Sequence, residues 1–258
     1  MISSFQTRFL PCVFTIFVLL NFANANENNI DNLSNNTMLS NDKIFVVTES
    51  WFPYNYLDNN GKIIGRSTEV VKSVLNHANV PFKLSLFPWQ RSYNIASTQK
   101  NVLIYSIYRT PEREKLFHWL CPLFPSPEQS IYKLASRKNL HIKKESDVNK
   151  YSLIVTRGTF LHKLFESRGM KEGVNLFLTP SNNTNLQMLL TKRVDLIIAI
   201  DEDIYQMLES LKIPADTIEK VFTLKQTDET ELCMAISKGT PSYIVDKIKS
   251  SQQALYPN

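Results

Sequence analysis

The chain has 258 residues, with 29 lysines and arginines against 24 acidic residues and a formal net charge of +5. This excess is mild and unclustered. The sequence lacks the basic patches interleaved with aromatic residues that are typical of nucleic-acid binding, so we expect no nucleic-acid partner. The length suffices for two small domains of about 100 residues each.

The N-terminal segment has the pattern of a secretory signal peptide. Arg8 precedes an apolar run over residues 9–22, and an Ala-Asn-Ala sequence follows that ends at Ala25, where we expect cleavage. A membrane anchor is the alternative, but the run is shorter than the roughly 20 residues of a spanning helix and contains Pro11. Cys12 has no small residues before it, which argues against lipid attachment. The exported protein, without residues 1–25, is therefore predicted to be soluble and periplasmic.

The first half of the remaining chain predicts one α/β unit. Residues 26–42 are rich in asparagine and lack periodicity, which predicts a flexible leader. A helix is expected over residues 67–78, with Ser67 or Thr68 as its N-cap. Strands are expected on either side of it at 44–48, 82–87 and 102–108. A strand, a helix and a strand in close succession predict a parallel pair of strands.

The alternation restarts after residue 150, which predicts a second α/β lobe. Apolar runs predict strands at 152–156, 176–180, 194–200 and 232–237. Amphipathic segments predict helices at 183–193, 201–213 and 241–255, and residues 157–169 predict a turn and a helix that ends near Gly169. Alternation on this scale favours largely parallel sheets, each with a ligand crevice at the carboxyl ends of its strands.

Five segments, in order and spread over most of the chain after the leader, carry a resemblance to a known family. They are residues 46–71, 87–91 (FPWQR), 105–119 (YSIYRTPEREKLFHW), 155–160 (VTRGTF) and 189–198 (LLTKRVDLII). They resemble the family 3 extracellular solute-binding proteins, which include the polar amino-acid binding proteins of ABC importers. The resemblance implies a type II periplasmic binding protein fold, with two mainly parallel α/β lobes joined by a two-strand hinge. It places lobe 1 at 43–128, lobe 2 at 129–228 and a return segment of lobe 1 at 229–258.

The resemblance also implies a carboxylate-binding site. Arg113 matches the family's arginine that binds the ligand carboxylate, and a guanidinium presents two parallel donors to such a group. Thr159 matches the residue that caps a lobe 2 helix whose first amides point at the same carboxylate. The alternative interpretations are a solvated ion pair of Arg113 with Glu112 or Glu114, and an ordinary N-cap at Thr159.

Further residues are assigned to the pocket by the same resemblance. Ser106 and Tyr108 match positions that line it, Trp51 matches an aromatic residue that stacks on the ligand, and Tyr54 follows in the same loop. Trp89 is expected to pack in the core or at the rim. The four histidines lack metal-ligand spacing, so neither a metal nor a cofactor is expected.

One departure from the family concerns the ligand's ammonium group. Amino-acid binders of the family place an aspartate five residues after the counterpart of Asp195, but here that position is Ile200, with Asp201 next. A strand side chain moved by one residue faces the other way. Asp201 and Glu49 are therefore the candidate replacements for the missing charge.

Two cysteines remain after signal removal, and an even count in an oxidising compartment permits a bridge. The resemblance places the strands that contain Cys121 and Cys233 together in lobe 1 near the hinge, which makes them the candidate pair for a disulfide. Two buried free thiols are the alternative.

The sequence thus favours a periplasmic binding protein that captures a small polar or carboxylate-bearing solute for an ABC permease, and we expect this solute to resemble an amino acid. We expect a monomer without enzymatic activity. One alternative is a dehydratase-like periplasmic enzyme on the same fold. The sequence argues against it, because it shows no nucleophile, base and orienting group at a recognisable spacing. The other alternative is a soluble sensory module.

Overall fold

The computed structural model describes residues 43–224 and 231–257. The predicted signal peptide and leader lie outside the described residues. Within the described ranges, no helix is both long and apolar enough to cross a membrane.

The described chain alternates strands and helices. The strands are β1 (Ile44–Thr48), β2 (Tyr56–Leu57), β3 (Ile63–Ile64), β4 (Phe82–Leu86), β5 (Val102–Tyr108), β6 (Phe117–Phe124), β7 (Ser130–Leu134), β8 (Leu153–Thr156), β9 (Leu176–Thr179), β10 (Leu196–Ala199), β11 (Ile218–Thr223) and β12 (Leu232–Ser237). The helices are α1 (Arg66–His77), α2 (Trp89–Thr98), α3 (Phe160–Ser167), α4 (Asn182–Leu190), α5 (Asp201–Ser210) and α6 (Ser242–Leu255). Short 3-10 turns occupy Glu114–Leu116, Glu145–Lys150 and Ala215–Thr217.

Two five-stranded sheets form two lobes. The first has the order β4-β1-β5-β12-β6, and the second has the order β11-β7-β10-β8-β9. In the first sheet only β12 runs against its neighbours. In the second sheet only β7 does so. Four strands of each sheet therefore share one direction, which confirms the predicted two-lobe fold with mainly parallel sheets.

Each sheet is covered by helices whose apolar faces follow the helical period. In lobe 1, Val71, Val74 and Leu75 of α1 are buried against Ile44 and Val46 of β1, and α6 packs in the same core. The opposite face of the same sheet is covered by α2. The N-cap of α1 was wrongly predicted, because Gly65 holds that position without a side-chain cap. Thr68 is instead buried in the first turn, where its hydroxyl pairs with that of Tyr105 at 2.8 Å.

The chain leaves lobe 1 at residues 125–129, and its described part resumes in lobe 1 at Glu231, while residues 225–230 lie outside the described residues. Next to this passage, Cys121 of β6 and Cys233 of β12 form a disulfide with a Cα–Cα distance of 4.7 Å. The bridge joins two paired antiparallel strands that are 112 residues apart in sequence. It therefore ties the return strand of lobe 1 to the strand that leads out of it.

Candidate ligand-binding site

A cavity of about 60 Å³ lies between the carboxyl ends of the strands of the two lobes. We call it the first compartment. Lobe 1 lines it with Glu49, Trp51, Trp89, Ser106, Tyr108 and Arg113, and lobe 2 contributes mainly Val155, Thr156, Thr159, Phe160, Leu161, Asn182 and Asn185. Six of the eight residues assigned to the pocket from the sequence thus meet here. The other two, Tyr54 and Asp201, do not line the compartment.

Arg113 is buried at the interface between the lobes, with 6% of its surface exposed. It follows β5 on a tight turn, where one of its terminal nitrogens donates to the carbonyl of Tyr108 at 3.0 Å. Its guanidinium lies 5.2 Å from the ring centre of Trp89 and 5.1 Å from that of Tyr93. Such stacking holds the planar group in one orientation. The solvated pair with Glu114 does not form, because that glutamate binds Arg109 instead at 2.7 Å.

The carbonyl of Gly158 joins the two lobes. It lies in lobe 2 and accepts from two groups of lobe 1, the second terminal nitrogen of Arg113 at 3.1 Å and the indole nitrogen of Trp89 at 2.8 Å. Gly158 has a φ of +73°, and a β-carbon there would lie 2.3 Å from Oε1 of Gln90. The positive φ therefore favours glycine here, and the side chain of the exposed Gln90 would have to move for a larger residue.

Thr159 is the N-cap of α3, as the sequence predicts. Its hydroxyl accepts from the amide of His162 at 3.4 Å and donates to the carbonyl of Thr156 at 2.8 Å. The next two residues, Phe160 and Leu161, line the compartment. The first amides of a helix have no acceptor within that helix, so this end of α3 offers donors to an anion.

A bulge in β5 positions Ser106. The register between β5 and β12 shifts at Ser106, which has a φ of +57°. An extra residue of this kind re-aims a side chain, and here the hydroxyl donates to Oδ1 of Asn55 at 2.5 Å. Asn55 in turn donates to the carbonyl of Glu49 at 2.7 Å. Ser106 thereby fixes the loop that contains Glu49 and Trp51.

Aromatic rings form the wall of the compartment near the hinge. The ring of Tyr108 lies 5.1 Å from that of Phe160 across the cleft and 6.3 Å from that of Trp51. Its hydroxyl accepts from Gln129 at 3.4 Å. Tyr54 packs behind this wall, with its ring 5.0 Å from Trp51 and 6.0 Å from Phe124. Tyr54 therefore supports Trp51 from outside the compartment.

Two carboxyl groups, one from each lobe, lie near the cleft: Asp203 is buried at 4% exposure, and Glu49 is partly buried. Burial is the main cause that raises the pKa of Glu49 to about 8, and the charge of Asp203 adds to the effect while that of Arg113 opposes it. Burial also raises the pKa of Asp203 to about 7, against hydrogen bonds from Asn182 and the backbone of Phe52. Among the described residues, neither carboxylate has an ion pair within 4.0 Å.

Asp203 was not among the candidates from the sequence. The helical period gives a signal for it, because Asp203 is four residues before Met207 and both are on the buried face of α5. Asp201 is directed elsewhere, and its carboxylate accepts hydrogen bonds from Tyr132 and Lys220. Ile200 is 2% exposed and packs against Trp51 and Tyr54. The position at which the family's amino-acid binders have an aspartate is thus occupied here by a buried apolar side chain.

His162, Glu166 and Glu172 lie close enough together to hold a metal ion, but each of them has another partner in this structure. Nδ1 of His162 accepts from the amide of Gly158 at 3.1 Å, so in the neutral ring Nε2 carries the proton and faces Glu166 at 3.2 Å. The two glutamates are paired with Lys163 and Arg157. The cluster is therefore a network of ion pairs.

Solved structures show the same fold at low sequence identity. An ancestral arginine-binding protein bound to arginine matches with a TM-score of 0.70 at 18% identity, over 83% of this chain and 92% of that one. The arginine-, lysine-, histidine-binding protein ArtJ from Geobacillus stearothermophilus matches with a TM-score of 0.68 at 17% identity, over 83% and 89%. A histidine kinase sensor domain with similarity to periplasmic binding proteins matches with a TM-score of 0.71 at 15% identity, over 84% and 91%.

No curated protein matches the chain significantly. A family model does match, that of the bacterial extracellular solute-binding proteins, family 3, over residues 44–249. This range contains both sheets and every residue that lines the cleft. The chain therefore belongs to family 3 of the bacterial extracellular solute-binding proteins.

Proposed function

We propose that this protein binds a small carboxylate-bearing solute in the periplasm and delivers it to an ABC permease in the inner membrane. The observation that carries the proposal is the buried, stacked guanidinium of Arg113 at the junction of the lobes. Such a group in a site with little water provides charge-assisted hydrogen bonds to a carboxylate.

The surroundings of Arg113 support the same ligand chemistry. The N-terminal end of α3 faces it from lobe 2, and its amides add donors for an anion. Trp51, Tyr108 and Phe160 provide apolar surface for the rest of the solute. Arg113 also bonds to the Gly158 carbonyl, so the residue that binds the ligand contributes to closure of the lobes.

A thermal-shift screen of amino acids, small carboxylates and oligopeptides tests this function. A ligand at about 100 times its dissociation constant stabilises the folded state by roughly 2.7 kcal/mol, which raises the melting temperature measurably. Binding of the best carboxylate is then measured by calorimetry with the wild type and with Arg113→Ala. Unchanged affinity in the variant contradicts the proposed site. A turnover assay on the same ligand separates a binding protein from an enzyme.

The histidine kinase sensor domain among the similar structures favours one alternative, a module that reports its ligand to a signalling partner. The two roles differ in the partner that recognises the closed form. Reconstitution with the permease in proteoliposomes distinguishes them, since an import protein stimulates ATP hydrolysis and uptake only when its ligand is bound. We expect the protein to act as a monomer, which light scattering with and without ligand checks.

A further inference from the structure

The end of lobe 2 opposite the cleft is formed by four connecting segments of the chain. The carboxyl ends of β8 and β10 line the first compartment. Because β8, β9, β10 and β11 run in one direction, the segments that precede them lie at the other end of the sheet, at residues 135–151, 168–175, 191–195 and 211–217. Strands of four to six residues separate this end from the cleft by roughly 13 to 20 Å. We call the surface of these four segments the distal face.

The distal face carries the whole net positive charge of the chain. Its four segments contain ten lysines and arginines and five acidic residues, which leaves 19 basic and 19 acidic residues in the rest of the sequence. Along the chain these cations are spread from Arg137 to Lys212, so the sequence shows no basic cluster. The fold brings them together, because connections at the amino ends of parallel strands share one edge of the sheet.

Polar contacts hold the four segments together as one surface. Segment 135–151 contacts each of the other three. Arg137 pairs with Asp195 at 2.7 Å, Nδ2 of Asn149 donates to the carbonyl of Arg168 at 3.0 Å, and the amide of Ala135 donates to the carbonyl of Thr217 at 2.9 Å. The cations of the distal face therefore have fixed backbone positions relative to one another.

Most cations of the distal face have no acidic partner. Arg137, Lys150 and Arg168 are paired with acids of the same face. The other seven are exposed and, among the described residues, have no ion pair within 4.0 Å: Lys138, Lys143, Lys144, Lys171, Lys192, Arg193 and Lys212. Unpaired charges of one sign on one surface attract a partner of the opposite sign.

Two exposed apolar side chains lie on the same face. Val174 is 71% exposed just before β9, and Leu211 is 48% exposed between α5 and β11. These strands are the two edges of the sheet, so the apolar residues lie towards opposite sides of the cations. Basic residues combined with exposed apolar residues are typical of surfaces that lie on anionic membranes, where cations meet the lipid phosphates and apolar groups enter the interface. A soluble polyanion would use the charges alone.

We propose that the distal face of lobe 2 binds the surface of an anionic phospholipid bilayer, with its unpaired cations at the lipid phosphates and with Val174 and Leu211 in the interface. This role goes beyond solute binding and does not depend on it, because the face lies at the opposite end of lobe 2 from the first compartment. It keeps an exported protein beside a membrane while the cleft stays accessible. A basic face without a covalently attached lipid binds reversibly, so the protein can still leave the membrane.

Sedimentation with vesicles tests this surface. Protein of residues 26–258 is mixed with vesicles of phosphatidylglycerol and phosphatidylcholine in equal parts, or of phosphatidylcholine alone. We expect binding to the anionic vesicles only. Binding should weaken as sodium chloride rises from about 20 to about 500 mM, since the screening length then falls from roughly 20 to roughly 4 Å.

Charge reversal shows whether the distal face is the surface that binds. The variant with Lys138→Glu, Lys143→Glu and Lys144→Glu should partition to the anionic vesicles at least about 100-fold more weakly. Each basic residue near an anionic surface contributes about fivefold, the equivalent of about 1 kcal/mol. The matched control reverses three exposed lysines of lobe 1 that have no ion pair among the described residues, and it should lose less than about fivefold: Lys62→Glu, Lys83→Glu and Lys100→Glu.

A second pair of variants tests the apolar contribution. Val174→Ser with Leu211→Ser should weaken binding to the anionic vesicles by roughly threefold to thirtyfold and leave its salt dependence unchanged. The matched control, Leu116→Ser with Tyr256→Ser, removes exposed apolar groups from lobe 1 and should have no effect. Circular dichroism checks that each variant is folded.

Three results would each overturn the proposal. They are equal binding of the wild type to both kinds of vesicle, equal losses in the two lysine variants, and an apolar variant that binds like the wild type while duplex DNA competes fully with the vesicles. The last result would show a general attraction for polyanions and no bilayer site. Affinity for the best carboxylate of the thermal-shift screen should be the same in the distal-face variants and the wild type, so this proposal and the proposed function fail independently.

Discussion

The two ends of the cleft differ in how far the protein itself satisfies their charges. At one end, Arg113 donates to two carbonyls and is stacked between two rings. By contrast, Glu49 of the same compartment is partly buried and Asp203 is buried, and among the described residues neither has an ion pair within 4.0 Å; we call these two acids the acidic end. The basic end is thus pre-organised and its charge is solvated by the protein, whereas the acidic end requires a proton or a ligand cation. The contrast shows that charged groups of one cleft can differ in how completely the protein itself satisfies them.

Loss of the Arg113 side chain should have the largest effect on ligand affinity. Arg113→Ala removes the carboxylate's partner and one of the two hydrogen bonds to the Gly158 carbonyl. We expect affinity for a carboxylate ligand to fall by about 2 to 5 kcal/mol, roughly 30-fold to several thousand-fold, in calorimetric titration. Arg113→Lys should recover only part, since an ammonium lacks the planar fork.

The control for this prediction is Arg109→Ala in the same turn. Arg109 pairs with Glu114, and both side chains are more than 40% exposed, so its loss should change affinity little. Circular dichroism checks that each variant is folded. Equal affinities of Arg113→Ala and the wild type would show that the carbonyl contacts are the whole role of this guanidinium.

The contribution of Glu49 to folding stability should fall as the pH rises, whereas the contribution of most carboxylates rises. Because the pKa of Glu49 is raised from 4.5 to about 8 on folding, the folded state retains a proton that the unfolded state has lost. Its contribution to stability is complete below about pH 4.5 and is lost as the pH rises towards 8, at about 1.4 kcal/mol per pH unit at most. Glu49→Gln should therefore stabilise the ligand-free protein at pH 8 and have little effect at pH 4.5.

Thermal unfolding of the two proteins over this pH range measures the effect. Glu209→Gln, an exposed acid on α5, is the matched control and should leave the pH profile unchanged. A difference between Glu49→Gln and the wild type that does not grow with pH would mean that Glu49 is ionised in the folded protein. The protein itself would then stabilise the charge of Glu49 as it stabilises that of Arg113.

The contact between the two lobes at Gly158 can be changed without removing a charge. Gly158→Ala places a β-carbon 2.3 Å from Oε1 of Gln90, whereas Gly169→Ala, at a φ of +89°, meets nothing within 4 Å. Both substitutions should cost about 1 kcal/mol of stability for the left-handed backbone. Only Gly158→Ala should also weaken ligand binding, by about threefold to tenfold, because Gln90 must move before the lobes close. Equal affinities in the two variants would show that closure does not depend on this approach.

The disulfide should have the smallest effect on binding. Neither cysteine lines the first compartment. Cys121→Ser with Cys233→Ser should lower the free energy of unfolding by about 2 to 5 kcal/mol and change affinity by less than about twofold. Thiol titration of the denatured, unreduced wild type should find no free thiol at these two positions. Two free thiols there would contradict the bridge.

The sequence alone was sufficient for the fold and for the basic end of the site. Periodicity located the strands and helices, because buried faces require apolar residues every second or every third to fourth position. The resemblance assigned Arg113 and Thr159 because short motifs at a strand end and a helix start keep their local geometry. Each of these predictions depends on residues that are close together in the chain.

Only the tertiary structure decided which acid lobe 2 contributes. Sequence reasoning named Glu49 and Asp201 as replacements for the missing aspartate; Glu49 lines the compartment, but Tyr132 and Lys220 bind the carboxylate of Asp201 away from it. Asp203, two residues later, is turned inward towards Glu49 by the rotation of about 100° per residue in α5. Which of two acids in one helical turn faces a cleft depends on how that helix packs against a lobe distant in sequence, and no local pattern fixes that packing.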